Sequence, residues 1–502
     1  MRDALRQRLR RKPDGYRYSI GRILVIFSGL MVTIVLAALD QTIVATALPH
    51  VVSDIGGLAS YSWVFSAYLL FQTATVPIYG KLGDIYGRRT MIMIAISVFV
   101  VGSALCGLAQ SMPELVVFRC IQGIGAGGLT PLAIATVSEL IPPRDRGRYQ
   151  GLIGAAFGSA SILGPALGGL IVDNTTWRWI FYVNLPVAGV AFAMVALTMP
   201  RPKRRREHSV DYTGALLLAL GIGALLLGLI WGGKTYPWTS GHVLGAVGLS
   251  LVLLCAFAAQ ERRARETILP FEMLKSPTVA AGAACMMLVA LCQFGLIAYV
   301  PLFAQGVIGV SATSSGVVLT PLMLGSVVAS VVAGQVISRT GRYRRNMLVA
   351  PLVFATGMTL LWRMDVHTTV AEAARNMFVC GLGLGLMMPV FIIAAQNATP
   401  HRIIGATTGF MQFSRSMGTT FGAAVFGVIV NQGLPASVRG KTFVHRLSPR
   451  GRTQLSDAIH PGFALGVVLC IVIFVVVFRA IEEKPLRQSV IDPETDAIIA
   501  NA

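Results

Sequence analysis

Charged side chains are scarce in this chain of 502 residues, of which only 13% are Asp, Glu, Lys or Arg. Soluble globular proteins carry about 25% of such residues. Hydrophobic residues make up 54% of the sequence, and the mean hydropathy is +0.69. This composition excludes a soluble globular domain and predicts a protein embedded in a membrane.

Acidic residues are the scarcer kind of charge, since 22 Asp and Glu stand against 42 Lys and Arg, for a net charge of +20. Such an excess is also typical of nucleic-acid-binding proteins. Here, however, the basic residues collect in alternate loops on the face that both termini share, and the positive-inside rule assigns that face to the cytoplasm. We therefore expect no nucleic-acid partner, contact with anionic lipid, and a multi-pass protein of the cytoplasmic (inner) membrane with both termini cytoplasmic. The basic segment 431–461 fits less well, because we expect it to be an outer loop.

Two kinds of chemical motif are missing as well. The sequence has no phosphate-binding P-loop, which argues against ATP as the energy source. Its seven cysteines all lie in apolar runs, without the spacing of metal ligands. We expect no enzymatic activity, no metal and no cofactor, and we expect a proton gradient to supply the energy.

Long apolar runs dominate what is present. About 18–25 such residues suffice for a membrane-crossing helix, and runs of this kind lie near 22–48, 63–80, 91–110, 114–138, 150–172, 179–199, 213–232, 241–259, 278–303, 315–337, 346–363, 374–395, 404–430 and 462–479. They predict an all-α membrane protein with about 14 transmembrane helices.

Two segments recur along the chain. GKLGDIYGRRT, which begins at Gly80, resembles GQVISRTGRYR at Gly334, and QGIGAGGLTP at Gln122 resembles CGLGLGLMMP at Cys380. The two separations are nearly equal, which indicates duplicated halves, a common plan of transporters with the pathway between the halves. The runs near 213–232 and 241–259 are surplus to two sets of six helices. We therefore expect a basic cytoplasmic N-terminus (1–21), an N-terminal six-helix bundle (22–200), a basic linker with an inserted helix pair (201–260), a C-terminal six-helix bundle (261–480) and a cytoplasmic tail (481–502).

The most informative residue is Asp40, the one ionisable group in the apolar run between Arg22 and Pro49. A charge at the centre of a membrane helix costs roughly 2.5–3.5 kcal/mol, so such residues usually face a polar interior and carry out a function. Arg119 lies at a similar depth in the fourth run and can pair with it. We interpret the two as a proton-coupling pair, and the alternative is a purely structural polar contact.

The loop after the second run predicts a gate at the cytoplasmic edge. Asp84 and Glu139 are placed to clamp the neighbouring arginines and to lock adjacent helices in one state. The alternative is an ordinary basic inner loop, which is our interpretation of Arg144, Arg146 and Arg148. The predicted cytoplasmic gate consists of Gly80, Asp84, Gly87, Arg88, Arg89 and Glu139.

The fifth run is unusually rich in glycine and also contains proline. Glycines four residues apart share a helix face and allow close helix contact, and proline interrupts the backbone hydrogen bonds. We expect a close-packed hinge or seal, and the alternative is ordinary packing of small residues. The residues are Gly154, Gly158, Gly164, Pro165, Gly168 and Gly169.

Polar and aromatic residues within the runs are candidates to line a substrate cavity. For each of them, packing or helix–helix hydrogen bonding is the alternative. The candidates are Gln41, Trp63, Gln72, Gln293, Gln396 and Gln412, with Asn397 and Arg415 as further ones.

Several of these segments resemble motifs of the major facilitator superfamily, specifically its fourteen-span drug:proton antiporter branch (EmrB/QacA type). They are LDQTIVATALP at Leu39, GKLGDIYGRR at Gly80, FRCIQGIGAGG at Phe118, the glycine-rich run from Gly154 to Gly169, WRWIFYVNLP at Trp177 and WGGKTYPW at Trp231. The resemblance implies proton coupling at Asp40 and Arg119 and gating at Asp84 and Arg88. In the second half, Ser338 and Met377 stand where Asp84 and Arg119 would map, so that coupling is expected in the first half alone.

Taken together, these features predict an antiporter that exports a small hydrophobic or cationic drug in exchange for protons, a function associated with antibiotic resistance. One alternative is an exporter of an endogenous lipid, fatty acid or other metabolite on the same scaffold. A non-transporting membrane receptor and a channel are the alternatives from other classes. We expect a monomer, with a periplasmic or envelope protein as an optional partner.

Overall fold

A computed structural model of the chain describes residues 18–55, 61–200, 211–232, 236–264, 267, 271–310, 312–400, 403–433 and 448–486. Parts of the predicted N-terminus (1–17), linker (201–210), outer loop (434–447) and tail (487–502) lie outside the described residues.

The described residues are almost entirely helical, which confirms the all-α prediction for them. A four-residue turn, Trp179–Tyr182, leads into the sixth of the long helices. The helices are α1 (Ile20–Ile55), α2 (Tyr61–Tyr86), α3 (Arg88–Leu108), α4 (Met112–Leu140), α5 (Pro143–Asn174), α6 (Asn184–Thr198), α7 (Tyr212–Trp231), α8 (Gly241–Glu261), α9 (Pro277–Phe303), α10 (Ala312–Thr340), α11 (Arg344–Trp362), α12 (Val370–Asn397), α13 (Ile404–Gly433) and α14 (Pro449–Ala480).

Within these ranges, 11 helical segments are long and apolar enough to cross a membrane. Helices α2, α5 and α11 are not among them. Helix α2 contains serines, threonines, Lys81 and Asp84, α5 is rich in glycine, and α11 opens with Arg344 and Arg345. Apolar content alone therefore does not establish fourteen crossings, and that number stays a prediction.

The helices on either side of α7 and α8 pack in the same pattern. Helix α1 contacts α5 and α6 as α9 contacts α13 and α14, and α4 packs against α2 and α3 as α12 packs against α10 and α11. The turns before α3 and α11 also match, because Gly87 and Gly341 have φ angles of 89° and 69°, a region that favours glycine. We call α1–α6 the first half and α9–α14 the second half.

The inserted pair, α7 and α8, packs chiefly on itself, and α7 also lies against α2. Asp211 and Ser240 cap the two helices by accepting hydrogen bonds from the backbone N–H groups of Gly214 and Val243, which satisfies donors that a helix start leaves free.

Helix α14 is longer than predicted. It begins at Pro449, so the described part of the segment that we expected to be an outer loop, residues 449–461, is helical. Ser448 caps its first turn, and Leu455 and Ile459, one turn apart, are buried. The sequence left the conformation of this segment open, because apolar content marks only the part of a helix that is wholly apolar, and the outer position of the segment stays a prediction.

The two halves meet chiefly through two helix pairs, α5 with α10 and α2 with α13, and α4 with α13 and α5 with α12 add smaller contacts. We call the end of the bundle where α1 begins and α14 ends, at Ile20 and Ala480, the terminal face, and the other end the opposite face. Close backbone contacts between the halves lie towards the terminal face. A Cβ atom on Gly334 of α10 would lie 2.0 Å from the carbonyl oxygen of Gly147 on α5, and one on Gly80 of α2 would lie 2.9 Å from the carbonyl oxygen of Gly405 on α13.

Substitution of Gly334 by alanine should therefore force α5 and α10 apart. Overpacking of this kind costs about 1–3 kcal/mol, so we expect Gly334→Ala to lower the thermal unfolding midpoint of the purified protein. Gly169→Ala on α5 is the matched control, because a Cβ there meets nothing within 4 Å. Equal midpoints for the two variants would show that this contact is not close-packed.

Candidate functional site

Asp40 on α1 and Arg119 on α4 form an ion pair inside the first half. Arg119 Nη1 donates to Asp40 Oδ2 at 2.9 Å, and both side chains are 0% exposed. The guanidinium lies over the ring of Tyr68, 4.1 Å from its centroid, and its Nε donates to the carbonyl oxygen of Val64 at 3.3 Å. The two residues that the sequence singled out at similar depth are in direct contact.

Three neutral side chains surround this pair. Gln122 Nε2 and Asn184 Nδ2 each donate to Asp40 Oδ1 at 2.8 Å, and Arg119 Nη1 also donates to Gln122 Oε1 at 2.7 Å. Asn184 Nδ2 lies 3.0 Å from Ser103 Oγ, which donates to a backbone carbonyl at 2.9 Å. We call Asp40, Ser103, Arg119, Gln122 and Asn184 the Asp40 cluster.

Sequence reasoning did not find the neutral members of the Asp40 cluster. Gln122, Asn184 and Ser103 belong to residue types that are frequent in membrane helices as packing or hydrogen-bonding groups. One signal was available for Gln122, since it follows Arg119 by three residues and so shares its helix face. Asn184 lies in the WRWIFYVNLP segment, in which no single residue stood out.

All five members of the Asp40 cluster are buried in this structure. Since the carboxylate accepts three hydrogen bonds from side chains of α4 and α6, much of the cost of enclosing its charge is offset. Because the donors to Asp40 belong to α4 and α6, a displacement of either helix relative to α1 would disturb the contacts of this carboxylate.

Arg88 occupies the centre of the predicted gate at the terminal face. Its Nε donates to Glu139 Oε1 at 2.8 Å, its Nη2 donates to Asp84, and its Nη1 donates to the carbonyl oxygen of Gly80 at 3.4 Å. The side chain is buried between α2 and α4. Both predicted carboxylates therefore contact the same arginine.

Asp84 extends this cluster across the seam between the halves. Its Oδ1 accepts a hydrogen bond from the backbone N–H of Gly405 at 3.2 Å, and its Oδ2 accepts one from Ala406 at 2.8 Å. These groups belong to the first turn of α13, where free N–H donors and the helix dipole favour a negative charge. A carboxylate of the first half thus holds the start of a helix of the second half.

The other predicted gate residues have different surroundings. Arg89 points away from the carboxylates, and its Nη2 donates to the carbonyl oxygen of Ala196 near the end of α6 at 2.6 Å. Its contact is therefore within the first half. Gly87 supplies the positive-φ turn between α2 and α3, which brings Arg88 back over α2.

Arg146, which we interpreted as an ordinary loop residue, is buried at the seam. It donates to the carbonyl oxygens of Ile141 at 2.9 Å and Ser138 at 2.5 Å, and to Gln396 Oε1 of α12 at 3.4 Å. Gln396 in turn donates to Thr408 of α13 at 2.9 Å. That interpretation was wrong, because loop position and charge alone do not reveal that a side chain folds into the seam.

The glycine-rich segment forms part of one continuous helix, α5. Gly154 and Gly158 face Ser330 and Val327 of α10, and Gly164 faces Thr42 of α1. Gly168 is buried, whereas a Cβ on Gly169 would meet nothing within 4 Å. Pro165 lies within the same helix. The segment therefore provides close contact on two sides, and its role as a hinge stays a prediction.

The predicted cavity residues do not form one group. Gln41 Nε2 donates to Gln72 Oε1 at 3.2 Å between α1 and α2, whereas Trp63 and Gln293 are half-buried. Gln396 belongs to the hydrogen bonds of Arg146 described above, so it lies at the terminal face. Asn397 is there too, since its Nδ2 donates to the carbonyl oxygen of Pro485 at 3.3 Å.

Gln412 and Arg415 lie on the part of α13 that is distant from the terminal-face contacts. Gln412 is buried and leaves its Oε1 without a hydrogen-bond partner among the described residues. The guanidinium of Arg415 lies 5.6 Å from the ring centroid of Phe157 on α5.

At the opposite face, the end of α1 is joined to the turn before α6. Trp177 Nε1 and Arg178 Nη1 donate to Asp54 Oδ2 at 2.8 Å and 3.0 Å. The hydrogen bond from Trp177 and then that from Arg178 hold the pKa of Asp54 below its ordinary value. Because the folded-state pKa is lowered, this contact stabilises the fold at neutral pH, and the stabilisation is lost as the pH falls through the lowered pKa.

Residues 30–423 match the sequence pattern that defines the Major Facilitator Superfamily. The chain belongs to the major facilitator superfamily. Its place there confirms the superfamily that the motifs indicated and makes the protein a transporter rather than an enzyme.

Two relatives from Bacillus subtilis (strain 168) resemble the chain over most of its length. It is 38% identical over 407 residues to the multidrug transporter protein MdtP, covering 81% of this chain and 75% of the relative. It is 37% identical over 401 residues to multidrug resistance protein 3, covering 80% of this chain and 78% of that protein.

Solved structures of the superfamily share the fold. The proton:xylose symporter XylE superposes with a TM-score of 0.64 at 16% identity, covering 93% of this chain and 98% of that chain. At this identity the similarity concerns the fold alone.

We expect the hydrogen bonds between Asp84 and the start of α13 to stabilise the first turn of that helix. Asp84→Asn removes the charge that accepts the N–H groups of Gly405 and Ala406. Hydrogen bonds to charged groups contribute about 1.5–3 kcal/mol, so amide hydrogen exchange in the first turn of α13 should accelerate about 10-fold or more.

Asp365→Asn is the matched control for that experiment, since Asp365 is exposed and accepts hydrogen bonds only locally, from His367 and Thr368. Equal amide hydrogen exchange in the first turn of α13 in both variants would contradict the role of Asp84 in holding that helix start.

Proposed function

We propose that this protein exports small hydrophobic compounds, cationic ones among them, across the cytoplasmic membrane in exchange for protons. The observation that carries the proposal is Asp40, a fully enclosed carboxylate held by Arg119 on a neighbouring helix of a transporter. The printed names of the two Bacillus relatives, a multidrug transporter and a multidrug resistance protein, support drugs as the substrate class.

The Asp40 cluster supports proton coupling because Asp40 cannot keep its ion pair with Arg119 and carry a proton at the same time. Arg119 and the two amide groups hold the carboxylate through three hydrogen bonds in this structure. A movement that separates Asp40 from Arg119 and admits water lets the carboxylate take up a proton. The reverse movement restores the ion pair and expels the proton, so one exchange of partners couples one proton to one change of shape.

The contacts of α1 give such a movement a path to the seam. Thr42, two residues after Asp40, donates to the carbonyl oxygen of Ala160 on α5 at 3.3 Å. Helix α5 in turn packs on α10 of the second half. A displacement of α1 at Asp40 therefore bears on the helix that meets the other half, which supports alternating access by rocking of the two halves.

The contacts at the terminal face support the assignment of this structure to the stage of the cycle in which the pathway is closed on that face. We propose that the terminal face is cytoplasmic, in line with its basic loops, that the chain is of the fourteen-span antiporter branch, and that all fourteen long helices cross the membrane. The inserted pair would then lie beside two six-helix bundles. We also propose that the protein acts as a monomer, because one chain supplies both halves and the seam, and a periplasmic or envelope partner stays a prediction.

Asp40→Asn tests the coupling. Because an amide cannot ionise near neutral pH as a carboxyl group does, dye export from proteoliposomes under an imposed pH gradient should fall at least about 10-fold, to the level of empty vesicles. Substrate binding to the purified variant should persist.

Asp54→Asn is the matched control, since it neutralises a carboxylate of the same helix at the exposed opposite face. Gradient-driven export that survives Asp40→Asn would refute the proposed coupling.

A further inference from the structure

Arg415 is a cation in the middle of α13, about 16 Å along the helix from its start at Ile404 by the rise of 1.5 Å per residue. The residue is half-buried. Its guanidinium contacts the ring of Phe157 on α5. The contact therefore joins a helix of the second half to a helix of the first half.

Three other buried arginines differ from Arg415 in what they contact. Arg88, Arg119 and Arg146 each donate to at least two oxygen acceptors, as described above. The guanidinium of Arg415 makes neither a hydrogen bond nor an ion pair with the described residues. It contacts the ring of Phe157. A charge at this depth is costly and usually pairs with a partner or faces a water-filled cavity.

A second group without a partner lies one turn away. Gln412 precedes Arg415 by three residues on the same face of α13, and its buried Oε1 has no hydrogen-bond partner among the described residues. A glutamine side chain carries both an acceptor and two donors, and rotation of its terminal amide exchanges them. The two side chains can therefore act together on one polar group.

We propose that Arg415 and Gln412 form a subsite for an oxyanion, a carboxylate or sulfonate attached to an apolar body, within the substrate pathway. A guanidinium offers a planar pair of donors that matches such a group bidentately. Phe157 would contact the apolar body next to the acidic group. This inference rests on the proposed export of small hydrophobic compounds and revises one part of that proposal, because such a subsite favours acidic amphiphiles over cationic compounds.

The charges around the interior agree with this choice. The carboxylate of Asp40 is enclosed by the Asp40 cluster, and Asp84 and Glu139 hold Arg88 at the terminal face. Among the charges named here, the guanidinium of Arg415 is thus the one that has no oxygen partner among the described residues. A bound oxyanion would neutralise it, and a bound organic cation would be repelled by it.

Binding of two dyes with the same skeleton tests the subsite. Anilinonaphthalene sulfonate carries an oxyanion, and N-phenylnaphthylamine lacks it. Calorimetric titration of the full-length protein in nanodiscs of neutral lipid, with empty nanodiscs as the blank, should give about 10-fold tighter binding of the sulfonate. Arg415→Gln should abolish this preference, and Arg415→Lys should retain part of it.

Arg363→Gln is the matched control, because Arg363 is exposed and follows the last residue of α11 at the opposite face. This substitution should leave the preference unchanged. Equal binding of both dyes by the unaltered protein, or a preference that survives Arg415→Gln, would overturn the subsite. Addition of phosphatidylglycerol distinguishes two sources of oxyanion: weaker sulfonate binding that depends on Arg415 would support the subsite with a lipid headgroup as its ligand.

Flux measurements separate this inference from the proposed function. Gradient-driven export of the neutral dye without any preference for the sulfonate would preserve the export function and overturn the subsite. An Arg415-dependent preference in binding, with no export of either dye, would support the subsite and refute export.

Discussion

The ion pair between Asp40 and Arg119 is the constraint on which the rest of the first half depends. Both groups are fully removed from solvent, and removal of one partner from such a pair costs about 3–5 kcal/mol because the other charge remains buried. Gln122, Asn184 and Val64 provide the additional hydrogen bonds that make the enclosure tolerable. Helices α1, α4 and α6 are thereby fixed relative to one another, and any change at Asp40 must disturb all three.

Coupling between the halves has a different physical origin. At the terminal face, Asp84 holds the first turn of α13, and Arg146 contacts Gln396 of α12. Glycine backbones approach closely there, at Gly147 with Gly334 and at Gly80 with Gly405. These contacts combine charge with close packing, so they favour one closed arrangement rather than a continuous range of separations. The interior beyond them contains the cation Arg415, whose neutralisation by a ligand would lower the cost of enclosing it.

The sequence predicted those parts of this arrangement whose residues are unusual in a membrane helix. Asp40 and Arg119 stood out because a charge within an apolar run is rare, and Asp84, Arg88 and Glu139 stood out through their spacing around a loop. The matching helix packing and the turns at Gly87 and Gly341 correspond to the repeat that the motifs revealed. The all-helical fold and the superfamily followed from the same features.

The sequence did not determine which way individual polar side chains point or which residues they contact. Asn184, Ser103 and Gln122 are neutral polar residues, and only the packing of α3, α4 and α6 around Asp40 gives them a common target. Arg146 and Arg89 lie in basic segments where charge is expected, so the sequence did not tell that one enters the seam and the other turns to α6. The first turns of α14 were missed because their polar residues hide a helix that packs through Leu455 and Ile459.

The most direct test of the account is whether substrate binding changes the protonation of Asp40. Addition of a transported dye to the purified protein, in a weakly buffered solution with a pH indicator, should change the number of protons that the protein binds, and Asp40→Asn should bind the same dye without this change. Equal proton exchange by both proteins, or none by the unaltered protein despite binding, would contradict the account.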